Sequence, residues 1–479
     1  MSALRRLAIV GSGPAGFYTA ARVLGRSAGN VAIDMFESLP IPHGLVRYGV
    51  APDHPEVKIV INRFDEVATN PHFRFFGNVT IGQDVSVAEL AQHYDGIVLA
   101  YGASQDKTLG LDQETTTKGV LSARSFVGWY NGHPDYQDLD LDLTNTDTAV
   151  VVGHGNVALD VARVLLSPID RLATTDITAQ ALDTLRTSRI RHVHLLGRRG
   201  PLQVQFTTKE LREMFSIANL ALRTDLPLLT RELERGKAHI ASRRPLKRLL
   251  DLLYKQVRSE LPKTWSLDFL TSPQALVTAP PPTLSDPALE PYTGTLTGLT
   301  VCHNTLEGPV ESPRAIATDQ THTIETGLLL RSIGYRSEAV DPSVPFDTRH
   351  HIVPNSQGRV DPALLAAHHC TLPLGMYVSG WLKRGPSGVI VSTMSDAFET
   401  AEAILSDIDQ SPSSDLVPST PSSSILELLR ARGKVPVTYA DWKRIEKYEF
   451  AQGQLQGKPR EKLTRVEDML QTLQLPSSH

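Results

Sequence analysis

The chain has 479 residues, 41% of them apolar and 21% charged, and a net charge of −4 from 48 basic and 52 acidic side chains. That length exceeds one ordinary core, so two or more domains are expected. The near-balanced charge gives no global pull toward nucleic acid or a membrane surface, which leaves steering to local patches. The two cysteines, Cys302 and Cys370, lie far apart with neither CxxC nor Cys/His spacing. This argues against a disulfide framework, a structural zinc and an iron–sulfur cluster of the protein's own, and it removes a redox dithiol. No apolar run is long enough to span a bilayer. A strand pattern begins by Leu7, which leaves no room for a targeting peptide, so the expectation is a chain that stays where it is made or one already processed.

Leu7 to Val10 is a short apolar run that ends in Gly11-Ser12-Gly13-Pro14-Ala15-Gly16, and Phe17 to Leu24 reads as a helix. Strand, GxGxxG and helix in that order are the context of a dinucleotide-binding turn. Gly11 permits the tight turn, Gly13 lets the backbone approach a pyrophosphate, and Gly16 lets helix and strand pack closely. The helix N-terminus then faces the phosphates. A second apolar run, Val31 to Phe36, ends at Glu37, where a carboxylate can accept hydrogen bonds from ribose hydroxyls.

The same pattern recurs. Thr148 to Val152 reads as a strand, followed by Gly153-His154-Gly155-Asn156-Val157-Ala158 and a helical Leu159 to Leu166. The next strand, Val193 to Gly197, ends in Arg198-Arg199 instead of an acid. A carboxylate suits a free 2′-hydroxyl, whereas guanidinium groups hold a 2′-phosphate bidentately. The second site therefore reads as NADP, and the first as a dinucleotide without that phosphate. Two such sites in one chain imply relay chemistry between a resident flavin, FAD, and a diffusing nicotinamide, NADPH.

Along the chain, the first domain continues through Val79 to Ile81 and a buried strand over Gly96 to Gly102. Composition turns polar around Gly110 to Gly119, marking a crossing. Residues 202–214 read as a helix capped near Thr207 or Thr208, and Arg223 to Lys263 as charged helix. Residues 272–295 read as a Pro/Ser/Thr-rich surface loop. Gly327 to Tyr335 reads as a strand returning to the first domain, and Met376 to Trp381 as another, with a helix from about Val389. Residues 411–424 read as a low-complexity linker before a short helical tail. The expected fold is α/β, with two Rossmann-like dinucleotide-binding domains. The FAD domain spans 1–108 and 326–479, and an NADP domain at 109–325 is inserted into it.

Several long segments identify a resemblance: GSGPAGFYTA, PHGLVRYGVAPDHPEVK, FVGWYNG, GHGNVALDVARVLL, LLGRRGPLQVQFTTKELREM, SIGYRS, GWLKRGPSGVI and GKPREKL. Over nearly its whole length the chain resembles the adrenodoxin reductase family of NADPH:ferredoxin reductases. It departs most between about 215 and 310, and Ser387 stands where the family has Thr. The resemblance implies that Ala15, Glu37, Leu45 and Ile81 contact FAD, with Trp381 and the Gly388-Val389-Ile390 turn near its isoalloxazine. It implies that Gly153, His154, Gly155, Asn156, Arg198, Arg199 and Glu210 bind NADP, and that Gly388 also meets the nicotinamide end.

The reaction implied is hydride transfer from NADPH to FAD, then single-electron delivery to a [2Fe–2S], adrenodoxin-like ferredoxin that supplies cytochrome P450 or iron–sulfur cluster assembly. His54 and Glu213 are candidates for proton handling or nicotinamide positioning. Arg212, Arg244, Lys247 and Arg248 form a candidate docking patch for an acidic ferredoxin. The resemblance places such a protein in the mitochondrial matrix or peripherally at the inner membrane, or in the cytoplasm of a bacterium, with no oligomer required. A flavin monooxygenase or a quinone or small-molecule reductase is the rival within the enzymes, and a nucleotide-sensing scaffold the rival outside them.

Overall fold

A computed structural model describes residues 4–257, 261–280, 292–388, 390–411 and 423–474. The chain divides into two compact units. One comprises Met1–Val50, His54–Gln105 and Gly334–His479, and the other Ala51–Asp53 and Asp106–Ile333. The first unit opens with β1 (Arg5–Val10), α1 (Pro14–Arg26), β2 (Val31–Phe36), α2 (Leu45–Tyr48), β3 (Phe73–Phe76) and β4 (Gly96–Leu99).

In the second unit the elements that matter begin with β5 (Val120–Ser122), β6 (Thr148–Val152), α3 (Asn156–Leu166), β7 (His192–Gly197), α4 (Thr208–Phe215) and β8 (Leu220–Arg223). Helices over Leu226–Arg235 and Lys237–Ser242 lead to α5 (Arg244–Lys255) and β9 (Lys263–Phe269). The strands β5, β6, β7, β8 and β9 join β13 (Leu328–Arg331) in a six-stranded parallel sheet of order β8-β9-β7-β6-β13-β5. Helices cover one face, where α5 buries Leu249, Leu250 and Leu253, each worth about 1.5–3 kcal/mol. The other face is covered by an antiparallel sheet of β10 (Thr271–Ala279), β11 (Gly294–Glu307) and β12 (Arg314–Glu325). Leu296, Leu299 and Val301 of that sheet pack on Val150, Val152, Leu196 and Leu329.

The chain then supplies β14 (Gly375–Val378), α6 (Ile390–Gln410), α7 (Tyr439–Leu455) and α8 (Val466–Gln474) to the first unit. Its parallel sheet has the order β14-β4-β1-β2-β3. Leu7 and Ile9 face one hydrophobic cluster, Ala8 and Val10 another. The period-two alternation with both faces apolar is that of a strand covered on each side.

Three expectations change. Gly327 to Tyr335 does not return to the first sheet: β13 pairs with β5 and β6, because its Leu328-Leu329-Leu330 run is apolar enough to lie between two strands. Of the expected loop 272–295, residues to Ala279 and from Gly294 are paired strands: Thr295-Leu296-Thr297 opens a Thr/Leu alternation that buries Leu296, Leu299 and Val301 and draws 271–279 into the ladder despite Pro273; 281–291 lie outside the described residues. The C-terminal tail is not short, and most of the expected 411–424 linker lies outside the described residues.

Candidate dinucleotide-binding sites

Each parallel sheet has a point where chain order reverses, between β1 and β4 in one unit and between β6 and β13 in the other, and ligands bind outside the carboxyl ends of strands at such points. Both turns sit there. Gly11 has φ +106°, and a Cβ on it would lie 2.6 Å from the carbonyl oxygen of Ala100, just past β4. Gly153 has φ +138°, and its Cβ would lie 2.2 Å from the carbonyl oxygen of Ser332, just past β13. Only glycine fits either position. A Cβ on Gly16 would lie 2.1 Å from the carbonyl oxygen of Gly11, whereas Ala158, in the matching place, is fully buried.

The middle glycines behave oppositely. A Cβ on Gly13 or Gly155 would meet nothing within 4 Å. Their backbones face open space at the start of α1 and α3, as an approaching pyrophosphate requires.

In the first unit, Glu37 closes the turn from the end of β2. Its Oε2 accepts from the Ser12 amide at 3.0 Å and hydroxyl at 2.6 Å, and Oε1 accepts from the Ser38 hydroxyl and Leu39 amide. Ala15 touches the Gly380 turn, where a Cβ would lie 2.6 Å from its own. Leu45 starts α2 beside this turn and is 38% exposed. Ile81, by contrast, is 4% exposed and packs inside the core. Trp381 is half-buried and stacks on Tyr335, centroids 5.3 Å apart. Gly388 is exposed at φ +83°, Ile390 begins α6, and Val389 lies outside the described residues.

Sequence reasoning missed what holds this last turn. The buried Lys383 ammonium reaches Asp396 at 3.2 Å, Glu399 at 2.6 Å and the Thr400 hydroxyl at 3.2 Å. Asp396 in turn accepts from the Gly380 amide at 2.6 Å. The charges between apolar neighbours in GWLKRG were the available signal, since a lysine is seldom buried unless paired.

In the second unit, Asn156 opens α3, and its Oδ1 accepts from the Thr207 amide at 3.0 Å. Thr207 caps α4 and donates to Glu210, so Asn156 and Glu210 meet through one residue. His154 serves the turn through its backbone. Its Nε2 donates to the Leu195 carbonyl at 2.7 Å, and its ring meets Phe269 edge-on. Burial holds that imidazole below its usual pKa, the Leu195 contact opposing. A Cβ on Gly197 would strike the ring at 2.2 Å, which explains the glycine ahead of Arg198. Arg198 is exposed and Arg199 half-buried, and neither guanidinium has a carboxylate partner among the described residues.

His54 stands at the N-cap position of the short Pro55–Lys58 helix in the first unit, without a side-chain capping bond, and is 7% exposed. Glu213 lies in the second, 3.3 Å from the buried Arg163 guanidinium and 3.9 Å from Lys209. Arg212, Arg244, Lys247 and Arg248 are all exposed on α4 and α5, which pack together, and none has a carboxylate partner among the described residues.

The profile of the pyridine nucleotide-disulphide oxidoreductase family matches residues 5–217. The mitochondrial NADPH:adrenodoxin oxidoreductase of Salvelinus fontinalis is 44% identical over 478 residues, covering 97% of this chain and 90% of its own length. The chain belongs to the NADPH:adrenodoxin oxidoreductase family. The human member is 44% identical over 98% of this chain and 92% of its own. Among solved structures, FprA of Mycobacterium tuberculosis in complex with NADPH is 35% identical with a TM-score of 0.89, over 98% of this chain and 100% of the other. As a member of this family the chain is an oxidoreductase with two Rossmann-like domains. Cys302 and Cys370 are free and buried, so the disulphide chemistry in the broader family's name has no dithiol here. Among the described residues no helix is long and apolar enough to cross a membrane.

Proposed function

We propose that the chain is an FAD-dependent NADPH:ferredoxin reductase. The observation that carries the reading is the contrast between two otherwise matching turns: a carboxylate, Glu37, closes one, while two guanidinium groups without carboxylate partners among the described residues, Arg198 and Arg199, follow the other. FAD fits the first turn, with Gly11, Gly13, Ala15, Gly16 and Glu37 at its ADP half and Leu45, Trp381, Gly388 and Ile390 beyond. NADPH fits the second, with Gly153 to Asn156 at its pyrophosphate and the arginine pair at its 2′-phosphate.

When bound, NADPH supplies a hydride to FAD, and FAD can release the two electrons singly to a [2Fe–2S] acceptor. The residues of the chain bind and orient. Asn156 and Thr207 lock the starts of α3 and α4 to each other, which sets the direction of the amides that face the phosphates. Lys383 and Asp396 fix the turn that carries Trp381. His54 and Glu213 are the candidate proton-handling or positioning groups, Glu213 being oriented by Arg163. If His54→Gln leaves the rate of flavin bleaching by NADPH unchanged in stopped flow, that role for His54 falls.

The acceptor is an acidic ferredoxin that meets Arg212, Arg244, Lys247 and Arg248, where exposed charges raise the encounter rate. The relatives named as mitochondrial support that compartment, and within it the reading places the chain in the matrix or peripherally at the inner membrane. Turnover with a [2Fe–2S] ferredoxin, a quinone and oxygen tests the acceptor: ferredoxin should be fastest. Arg244→Glu with Arg248→Glu should slow ferredoxin and spare a small dye, while equal loss on both removes the docking surface.

A further inference from the structure

The turn His43-Gly44-Leu45 lies against the first dinucleotide turn. The His43 amide donates to the Ser12 carbonyl at 3.1 Å, and a Cβ on Gly44 would be 3.2 Å from the Cα of Gly13. His43 holds φ +89°, a left-handed conformation that a histidine keeps only where its surroundings over-determine it. The surroundings come from the far end of the chain. Tyr439 Oη donates to Asp65 at 2.5 Å and accepts from His43 Nε2 at 3.3 Å. Trp442 meets the His43 ring edge-on at 5.7 Å. Two residues past the turn, Arg47 donates to both oxygens of Glu449, at 3.0 and 2.6 Å, with the two side chains 1% and 0% exposed.

Burial alone would lower the Arg47 pKa, but the Glu449 carboxylate outweighs it and keeps the guanidinium charged. Glu449 is itself fixed: its Oε1 accepts from the Leu463 amide at 2.9 Å, and its main chain accepts from the Glu461 amide at 3.0 Å. The segment after α7 thus folds back to brace the residue that braces Arg47.

We propose that α7 is the outer brace of the first dinucleotide site, with Glu449 and Tyr439 as positioning residues that press the His43–Leu45 turn onto Gly13 and so set how tightly the flavin is retained. The inference rests on the assignment of FAD to that site. A buried bidentate ion pair is costly to break from one side, and a strained turn is the nearest element that can relax. The loss should therefore appear in cofactor affinity before it appears in the fold.

The test is FAD binding to the stripped protein, followed beside far-UV unfolding, for wild type, Glu449→Gln, Tyr439→Phe and the exposed control Arg444→Ala. Glu449→Gln and Tyr439→Phe should each raise the Kd for FAD about tenfold or more and release flavin well below their far-UV transition. Arg444→Ala should leave the Kd unchanged. If Glu449→Gln fails to fold, Tyr439→Phe decides alone. Variants that keep wild-type affinity, or lose flavin only in step with the far-UV signal, overturn the inference. Wild-type protein with no affinity for FAD would instead remove the assignment beneath it.

Discussion

The Arg163 guanidinium grips both carboxylate oxygens of Asp53, at 2.7 Å from Nε and 2.9 Å from Nη2. The same side chain, with no solvent exposure, reaches Asp160 at 2.8 Å and Glu213 at 3.3 Å. Burial alone would lower its pKa, and the three carboxylates more than reverse that. Arg163→Leu leaves three carboxylates around an apolar group and should cost about 3–5 kcal/mol. Arg163→Lys should recover only part, because an ammonium cannot bind both Asp53 oxygens in that fork. Urea unfolding followed by the buried Trp265, in the same unit, is the measurement.

The glycines of the second turn should separate stability from binding. Gly153→Ala puts a Cβ 2.2 Å from the Ser332 carbonyl oxygen at a φ of +138°, and it should destabilise the unit by about 1–3 kcal/mol or more. Gly155→Ala meets open space, so its stability should change by less than about 1 kcal/mol. The methyl nonetheless occupies the approach of the pyrophosphate, and the KM for NADPH should rise while the melting temperature holds.

Arg198 and Arg199 should discriminate the two nicotinamide cofactors. A charge-assisted contact to phosphate is worth about 1.5–3 kcal/mol, so neutralising both should raise the KM for NADPH by about 10- to 100-fold or more. The KM for NADH, which has no 2′-phosphate, should stay near its original value. Steady-state kinetics with both cofactors decides, and an unaltered preference would move the 2′-phosphate site elsewhere.

Two buried histidines give a pH dependence with a definite sign. Burial keeps His43 neutral well below its usual value, aided by Arg47, Arg460 and Lys443. Burial takes His133 down to about 4, against the pull of Asp135, and its Nδ1 accepts from the Asp135 amide. The unfolded chain protonates these rings below about pH 6.5 while the folded chain does not. Stability is therefore full above pH 6.5 and falls as pH drops toward each folded value, by up to about 1.4 kcal/mol per pH unit per ring. His133→Asn keeps a capping side chain without the titration. The gap between wild type and this variant in urea midpoint should shrink from pH 7 to pH 5.

The parallel cores and both phosphate turns were legible because their signals are local: apolar runs of strand length ending in Gly11 and Gly153, each followed by a helix. Glu37 and the arginine pair were legible for the same reason, by distance from those turns. What was hidden depends on residues far apart in sequence. Nothing near Arg47 announces Glu449, and nothing near Gly380 announces Asp396. The β13 strand went to the second sheet because its partners β5 and β6 lie some 180 to 210 residues upstream.

The pairing of a flavin site with a separate NADPH site is tested most directly by anaerobic titration of the purified holoprotein, watching the visible flavin band. Protein as isolated should be yellow. NADPH should bleach it at about one equivalent, NADH should do so only at far higher concentration, and added [2Fe–2S] ferredoxin should restore the band as it becomes reduced. Protein that shows no flavin spectrum even after incubation with FAD, or one bleached equally well by NADH and NADPH, would contradict it.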